Sequence, residues 1–106
     1  MGIFDFLKQP DINQGVLDHR STPGAQLWDV RTPGEYRQGH IPGSENVPLQ
    51  AIDNGDFFTE SKDTVLYLYC RSGSRSRQAA AMLKHMGYPN VHNIGGIAAY
   101  AGKVER

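Results

Sequence analysis

The sequence predicts a single α/β domain built on a central parallel β-sheet with flanking helices. Two observations favour this fold class. Short apolar strand patterns alternate along the chain with helical patterns. Residues 64–69, TVLYLY, form a nearly continuous run of β-branched, aromatic and aliphatic residues, which is typical of a strand covered on both faces. The chain has 106 residues, which is enough for one domain with one hydrophobic core.

The first half of the chain predicts an arm, two short strands and a short helix. Residues 1–20 are predicted to form an N-terminal arm that could be helical, and residues 21–106 the domain itself. A strand is expected at 27–30. Thr32 and Glu35 have the spacing of a capping box, with Pro33 at the first helical position, so a helix should run from Pro33 to about Gln38. The turn motif GHIPG at 39–43 then leads to a strand at 46–48.

The second half predicts one long helix and a further strand. Residues 76–86 carry apolar side chains at helical spacing, and Gly87 ends the pattern. A strand is expected at 91–94. The pair Gly95-Gly96 then leads into a last apolar turn or helix at 97–101. Strands and helices therefore alternate, as a parallel sheet requires.

Charge and cysteine content limit the classes of function. Eleven Lys and Arg balance eleven Asp and Glu, so we expect no overall field that recruits nucleic acid or a membrane. A single cysteine cannot form an internal disulfide, which predicts a reduced, cytoplasmic setting. Asp5 interrupts the first apolar run, so neither a signal peptide nor a spanning helix is expected. His19, His85 and His92 show no metal-ligand spacing, so no metal site is expected.

Cys70 directly follows the predicted central strand and is the candidate catalytic residue. Ligands of open α/β sheets bind beyond the carboxyl ends of the strands. The next residues are small or basic, so their amides can line an anion-binding concavity at the start of the following helix. Such surroundings lower a thiol pKa from about 8.5 to between about 3.5 and 7.5. The predicted substrate-binding residues are Arg71, Ser72, Gly73, Ser74 and Arg75.

The residues alone leave other interpretations open. Cys70 could be an inert, buried residue that ends a core strand. Cysteine-dependent phosphatases place five residues between the nucleophile and an arginine, and Ser76 occupies that position here. A cradle closed by Arg75 would be tighter than the phosphatase loop. It favours a smaller cargo, such as one sulfur atom held as a persulfide anion.

Several ordered motifs resemble the rhodanese family. They are Asp29-Val30-Arg31 with Glu35-Tyr36, then GHIPGS at 39–44 and NVP at 46–48, the loop CRSGSR at 70–75, and residues 77–100. The resemblance covers about residues 25–101. Such a combination is more specific than one short pattern. Tyr100 is a departure, because many members of the family have Trp near this place.

The resemblance implies a single-domain sulfurtransferase with a rhodanese-like fold. Cys70 would take a sulfane sulfur from a small anionic donor such as thiosulfate and pass it to a thiophilic acceptor such as cyanide or a thiol, including a protein thiol. No cofactor is needed. Asp29, Arg31, Glu35 and His40 are expected to serve the fold. A non-catalytic rhodanese-like binding module, a phosphatase or an arsenate reductase remain alternatives, and the chain would be a monomer or homodimer.

Overall fold

The computed structural model describes residues 10–106, and four parallel strands within them form one sheet. The strands are β1 (Gln26–Asp29), β2 (Ser44–Asn46), β3 (Leu66–Cys70) and β4 (Val91–Gly96). Their order in the sheet is β2-β1-β3-β4, and every neighbouring pair is parallel. All five residues of β3 are buried. The predicted parallel α/β fold, with TVLYLY at its centre, is confirmed.

Within residues 10–106, four α-helices and one short 3₁₀ helix precede, connect or follow the strands. They are α1 (Ile12–Arg20), α2 (Pro33–Gln38), α3 (Leu49–Asp53), α4 (Ser74–His85) and the 3₁₀ helix Ile97–Ala99. The predicted capping box of α2 is present, because Glu35 N donates to Thr32 Oγ1 and Thr32 N donates to the Glu35 carboxylate. None of the helices in residues 10–106 is long and apolar enough to cross a membrane.

Several boundaries differ from the sequence prediction by one or two residues, and one helix was not predicted. Helix α4 begins at Ser74 instead of Ser76, because Gly73, with φ 103°, turns the chain directly into the helix. Cys70 pairs with Gly96 and is therefore the last residue of β3 instead of the first residue after it. Strand β2 begins and ends two residues earlier than expected. The unpredicted α3 has five residues and no side-chain cap, so its sequence signal is weak.

The core occupies both faces of the sheet. On one face, Trp28, Leu68 and Val91 pack with Leu83 of α4. On the other, Leu27, Tyr69 and Ile94 pack with Ile12 and Val16 of α1, which are 1% and 2% exposed. This two-sided cover explains the lack of polar alternation along β3.

Helix α1 lies in the segment predicted as an N-terminal arm, and it is docked on the sheet. The division of the chain at residue 20 stays a prediction. The apolar residues of the extreme N-terminus, Ile3, Phe4, Phe6 and Leu7, lie outside the described residues.

Candidate active site

Cys70 lies at the carboxyl end of the central strand, where the chain turns from β3 into α4. Its thiol is free and the residue is fully buried. Gly73 N donates a hydrogen bond of 3.0 Å to Cys70 Sγ. The three residues between the strand and α4 therefore fold back over the sulfur. The predicted orientation of main-chain donors towards the sulfur is confirmed.

Further donors surround the sulfur atom. Ser76 Oγ, from the first turn of α4, lies 3.5 Å from Cys70 Sγ. Burial by itself raises the pKa of the Cys70 thiol. The Ser76 hydroxyl and the amides of Ser76, Gly73 and Ser72 outweigh burial and lower the pKa below its ordinary value. The surroundings of Cys70 thus favour the thiolate, which an inert core cysteine does not need.

The predicted substrate-binding residues divide into two groups. Arg71, Ser72 and Ser74 are exposed around the loop. Gly73 is half-buried, with its amide on the sulfur. Arg75 is also half-buried, and its side chain binds Glu35 of α2. Arg71 is thus the loop arginine that faces solvent.

Arg75 is paired with Glu35 of α2. Its Nη1 and Nη2 donate to Glu35 Oε1 and Oε2 over 2.7 and 3.0 Å. The Arg75 guanidinium is the main reason that the pKa of Glu35 falls to about 2, and the same contact raises the pKa of Arg75. Glu35 was expected to serve the fold alone. It also joins α2 to the first turn of α4, directly after the loop that follows Cys70.

A buried ion pair joins Asp29 and Arg31 at the carboxyl end of β1. Arg31 Nη2 lies 2.7 Å from Asp29 Oδ2, and Asp29 has no exposed surface. The same Nη2 donates to Gly39 O over 2.7 Å, which holds the start of the GHIPG turn. This buried pair supports the structural role expected of both residues. His40 in that turn stacks on Tyr36 with ring centroids 3.7 Å apart, which supports a structural role.

Two contributing residues were missed by sequence reasoning, which assigned no site role to Ser76 or Asn93. Asn93 lies in β4, and its Oδ1 accepts a hydrogen bond of 2.6 Å from Ser76 Oγ. A signal was present in the sequence, because Asn is depleted in strand interiors and here lies two residues before Gly95-Gly96.

The histidines do not form a metal-binding cluster in the described part of the chain. Within residues 10–106, no three His, Cys, Asp or Glu side chains lie close enough to hold a metal ion. His19 and His92 pack on the ring of Tyr67, with centroids 6.2 and 5.1 Å away, and His85 is exposed.

A small pocket borders the loop after Cys70. Its volume is about 200 Å³. It is lined by Arg71, Ser72, Gly95 and Gly96, together with Pro10, Ala98 and Ala99. The volume suits a small molecule better than a large organic ligand.

Comparison with known proteins identifies the family. Residues 13–103 match the model of the rhodanese-like domain. The chain belongs to the rhodanese-like family. The resemblance stated from the motifs is confirmed, and with it the rhodanese-like fold. The matched residues include the whole site and most of α1.

Relatives in this rhodanese-like family include proteins named for sulfur transfer. The chain is 43% identical to "Sulfurtransferase" of Allochromatium vinosum over 94 residues, 86% of this chain and 87% of that protein. It is 40% identical to "Thiosulfate sulfurtransferase PspE" of Escherichia coli, over 69% of this chain and 72% of that protein. It spans 21% of "Adenylyltransferase and sulfurtransferase uba4" of Ogataea parapolymorpha, at 38% identity over 74% of this chain.

A solved rhodanese shares the fold. The structure "rhodanese with anions from E. coli" matches with a TM-score of 0.66 and 32% identity, over 77% of this chain and 98% of that one.

Proposed function

We propose that this protein is a sulfurtransferase in which Cys70 carries the transferred sulfur as a persulfide. The observation that carries the proposal is the donor set around the sulfur, with the Gly73 amide at 3.0 Å and the Ser76 hydroxyl at 3.5 Å. Donors so placed stabilise a thiolate before transfer. They also suit the terminal sulfur anion of a persulfide, as an oxyanion hole suits an oxyanion.

The proposed reaction has two displacement steps. In the first, the Cys70 thiolate attacks the outer sulfur of thiosulfate, the S–S bond to the sulfonate breaks with its electron pair, and sulfite leaves. Cys70 then carries S–S⁻. In the second, cyanide or a thiolate attacks the terminal sulfur, and the Cys70 thiolate is regenerated. Such a scheme predicts ping-pong kinetics.

The loop residues have distinct roles in this proposal. Arg71 is exposed beside the small pocket and would attract the anionic donor. Ser72, Gly73 and Ser74 would offer amides and hydroxyls to it. Arg75 would add positive charge while Glu35 holds its guanidinium in place.

The loop supports sulfur transfer over phosphatase chemistry. The position that would hold a phosphatase arginine is occupied by Ser76, whose hydroxyl is buried next to Cys70 Sγ. Its neighbour Arg75 is bound to a carboxylate. We also propose a cytoplasmic location, because the lone thiol has to stay reduced.

The test is the mass of the intact protein after exposure to thiosulfate, mercaptopyruvate or a protein persulfide. We expect the wild type to gain one sulfur atom and to lose it on addition of cyanide, with formation of thiocyanate. Cys70→Ser should gain nothing. A wild-type protein that no donor persulfidates would contradict the proposal and favour a binding module.

A further inference from the structure

Asn93 connects β4 to two of the residues that surround the cysteine sulfur. Its Oδ1 accepts from Ser76 Oγ over 2.6 Å and from Gly95 N over 3.0 Å. Its Nδ2 donates to Gly73 O over 3.2 Å. One side chain thus binds Gly73, whose amide donates to Cys70 Sγ, and Ser76, whose hydroxyl lies 3.5 Å from the same sulfur.

The orientation of the Asn93 amide follows from its partners. Gly95 N can only donate, so it must face the oxygen of the amide. Gly73 O can only accept, so it must face the nitrogen. Ser76 therefore donates its proton to Asn93 Oδ1. This contact holds Ser76 Oγ in the rotamer that places it 3.5 Å from the sulfur.

Asn93 is the last residue of β4 before an irregularity in the sheet. Leu68 pairs with Asn93, but the next residue of β3, Tyr69, pairs with Gly95, so Ile94 has no partner across the ladder. Bulges of this kind occur next to active sites, and here the Asn93 side chain accepts the amide of Gly95, directly after the unpaired residue. Asn93 reaches towards the start of α4, while Ile94 is buried on the opposite face with α1.

We propose that Asn93 is a positioning residue that holds the Gly73 amide and the Ser76 hydroxyl against the sulfur of Cys70. The proposal rests on the proposed chemistry at Cys70 and extends it to β4. When Cys70 is a thiolate or carries a second sulfur, the Ser76 hydroxyl can turn from Asn93 to the anion without leaving its place. Without Asn93, both Gly73 and Ser76 lose an anchor. The Ser76 hydroxyl would then donate to Gly73 O, which lies 3.1 Å away and is closer than the sulfur at 3.5 Å.

The test is the pH dependence of Cys70 alkylation by iodoacetamide in Asn93→Ala. We expect the midpoint to rise by about one pH unit, so that alkylation below the wild-type midpoint is about tenfold slower. Asn90→Ala is the matched control. Asn90 also donates its amide to a backbone carbonyl, that of Asp63, but it lies before β4 at the end of the sheet opposite Cys70. Its alkylation midpoint should equal that of the wild type.

A second pair of variants tests the route through Ser76. The midpoint shift of Asn93→Ala combined with Ser76→Ala should be smaller than the sum of the two single shifts, because both substitutions remove one shared contact. Additive shifts would contradict the proposal. Thermal unfolding checks that each variant is folded. If Asn93→Ala does not fold, Asn93→Ser, whose side chain is too short to bridge the two partners, takes its place.

The outcomes separate this inference from the proposed function. A wild-type protein that thiosulfate persulfidates, together with an Asn93 variant that titrates like the wild type, would overturn the role of Asn93 alone. A wild-type protein that no donor persulfidates would overturn the function, and the alkylation profiles would still report whether Asn93 controls the thiol.

Discussion

Arg75, in the first turn of α4, and Glu35, in α2, are joined by two hydrogen bonds although 40 residues separate them in the chain. Glu35 also closes the capping box of α2 with Thr32. One carboxylate therefore stabilises the start of α2 and holds a cation in the first turn of α4, directly after the Cys70 loop. Because Arg75 is bound in this way, the chain leaves Arg71 as the exposed loop arginine.

Glu35→Gln should separate these two tasks. Gln at this position still completes a capping box but carries no charge for Arg75. The ion pair is about one third exposed, with side chains 33% and 29% accessible, so its loss should cost about 1 kcal/mol of stability or less. We expect kcat/KM for thiosulfate to fall by about tenfold, because Arg75 is no longer held. Glu45→Gln, an exposed site on β2, is the control. An unchanged kcat/KM would restrict the pair to a role in folding.

The stability contribution of Glu35 should depend on pH. Its pKa is about 2 in the folded protein and about 4.5 ordinarily, so the folded state favours the carboxylate. The contribution is therefore complete above about pH 5 and is lost as the pH falls from about 4.5 to about 2. Urea unfolding of the wild type and Glu35→Gln should show a constant difference at neutral pH that shrinks over this window. An equal difference in the free energy of unfolding at about pH 2 and about pH 5 would contradict this pH dependence.

The fold could be predicted because its signals are local. TVLYLY indicated a buried strand, Thr32 and Glu35 marked the start of α2, and glycines marked turns. The errors are at boundaries. Ser74 rather than Ser76 starts α4 because the turn at Gly73 replaces a longer loop, which no periodic pattern reveals.

The site could be predicted only in part, because half of it depends on pairing between distant segments. Cys70 and its loop are contiguous, so their sequence was sufficient. The contact of Asn93 with Ser76 depends on the register of β4 against β3, which pairs Asn93 with Leu68. The contact of Glu35 with Arg75 depends on the relative placement of two helices. Neither placement can be obtained from side-chain spacing.

Arg71→Ala should weaken binding of anionic donors. Arg71 is exposed beside the small pocket, so its charge would act on the approaching donor more than on the bound sulfur. We expect KM for thiosulfate to rise by about fivefold, the effect of about 1 kcal/mol, with a smaller change in kcat. Arg77→Ala, an exposed arginine in α4, is the control and should leave KM unchanged. Added salt should reduce the difference between wild type and Arg71→Ala. An equal loss in both variants would assign the effect to net charge.

Gly96→Ala should displace the loop and slow persulfidation. Gly96 has an extended backbone, with φ −127° and ψ 139°, so its conformation does not require glycine. The close approach of the loop does, because an added Cβ would overlap the Arg71 carbonyl oxygen and lie 2.6 Å from Ser72 Cα. Both are backbone atoms and cannot rotate away. The loop would have to shift, and a misplacement of about 1 Å can cost about 100-fold in rate.

The measurement for Gly96→Ala is the rate of sulfur gain by intact mass, with thermal unfolding to confirm that the variant is folded. Gly34→Ala is the matched control, because a Cβ at Gly34 would have no neighbour nearer than 4.0 Å. That variant should keep the wild-type rate, and its stability should stay equal or rise, since Ala is the better helix former in α2. A folded Gly96→Ala protein with the wild-type rate would mean that the position of the Arg71 carbonyl does not control access to Cys70. Loop placement by β4 would then be excluded as a determinant of transfer.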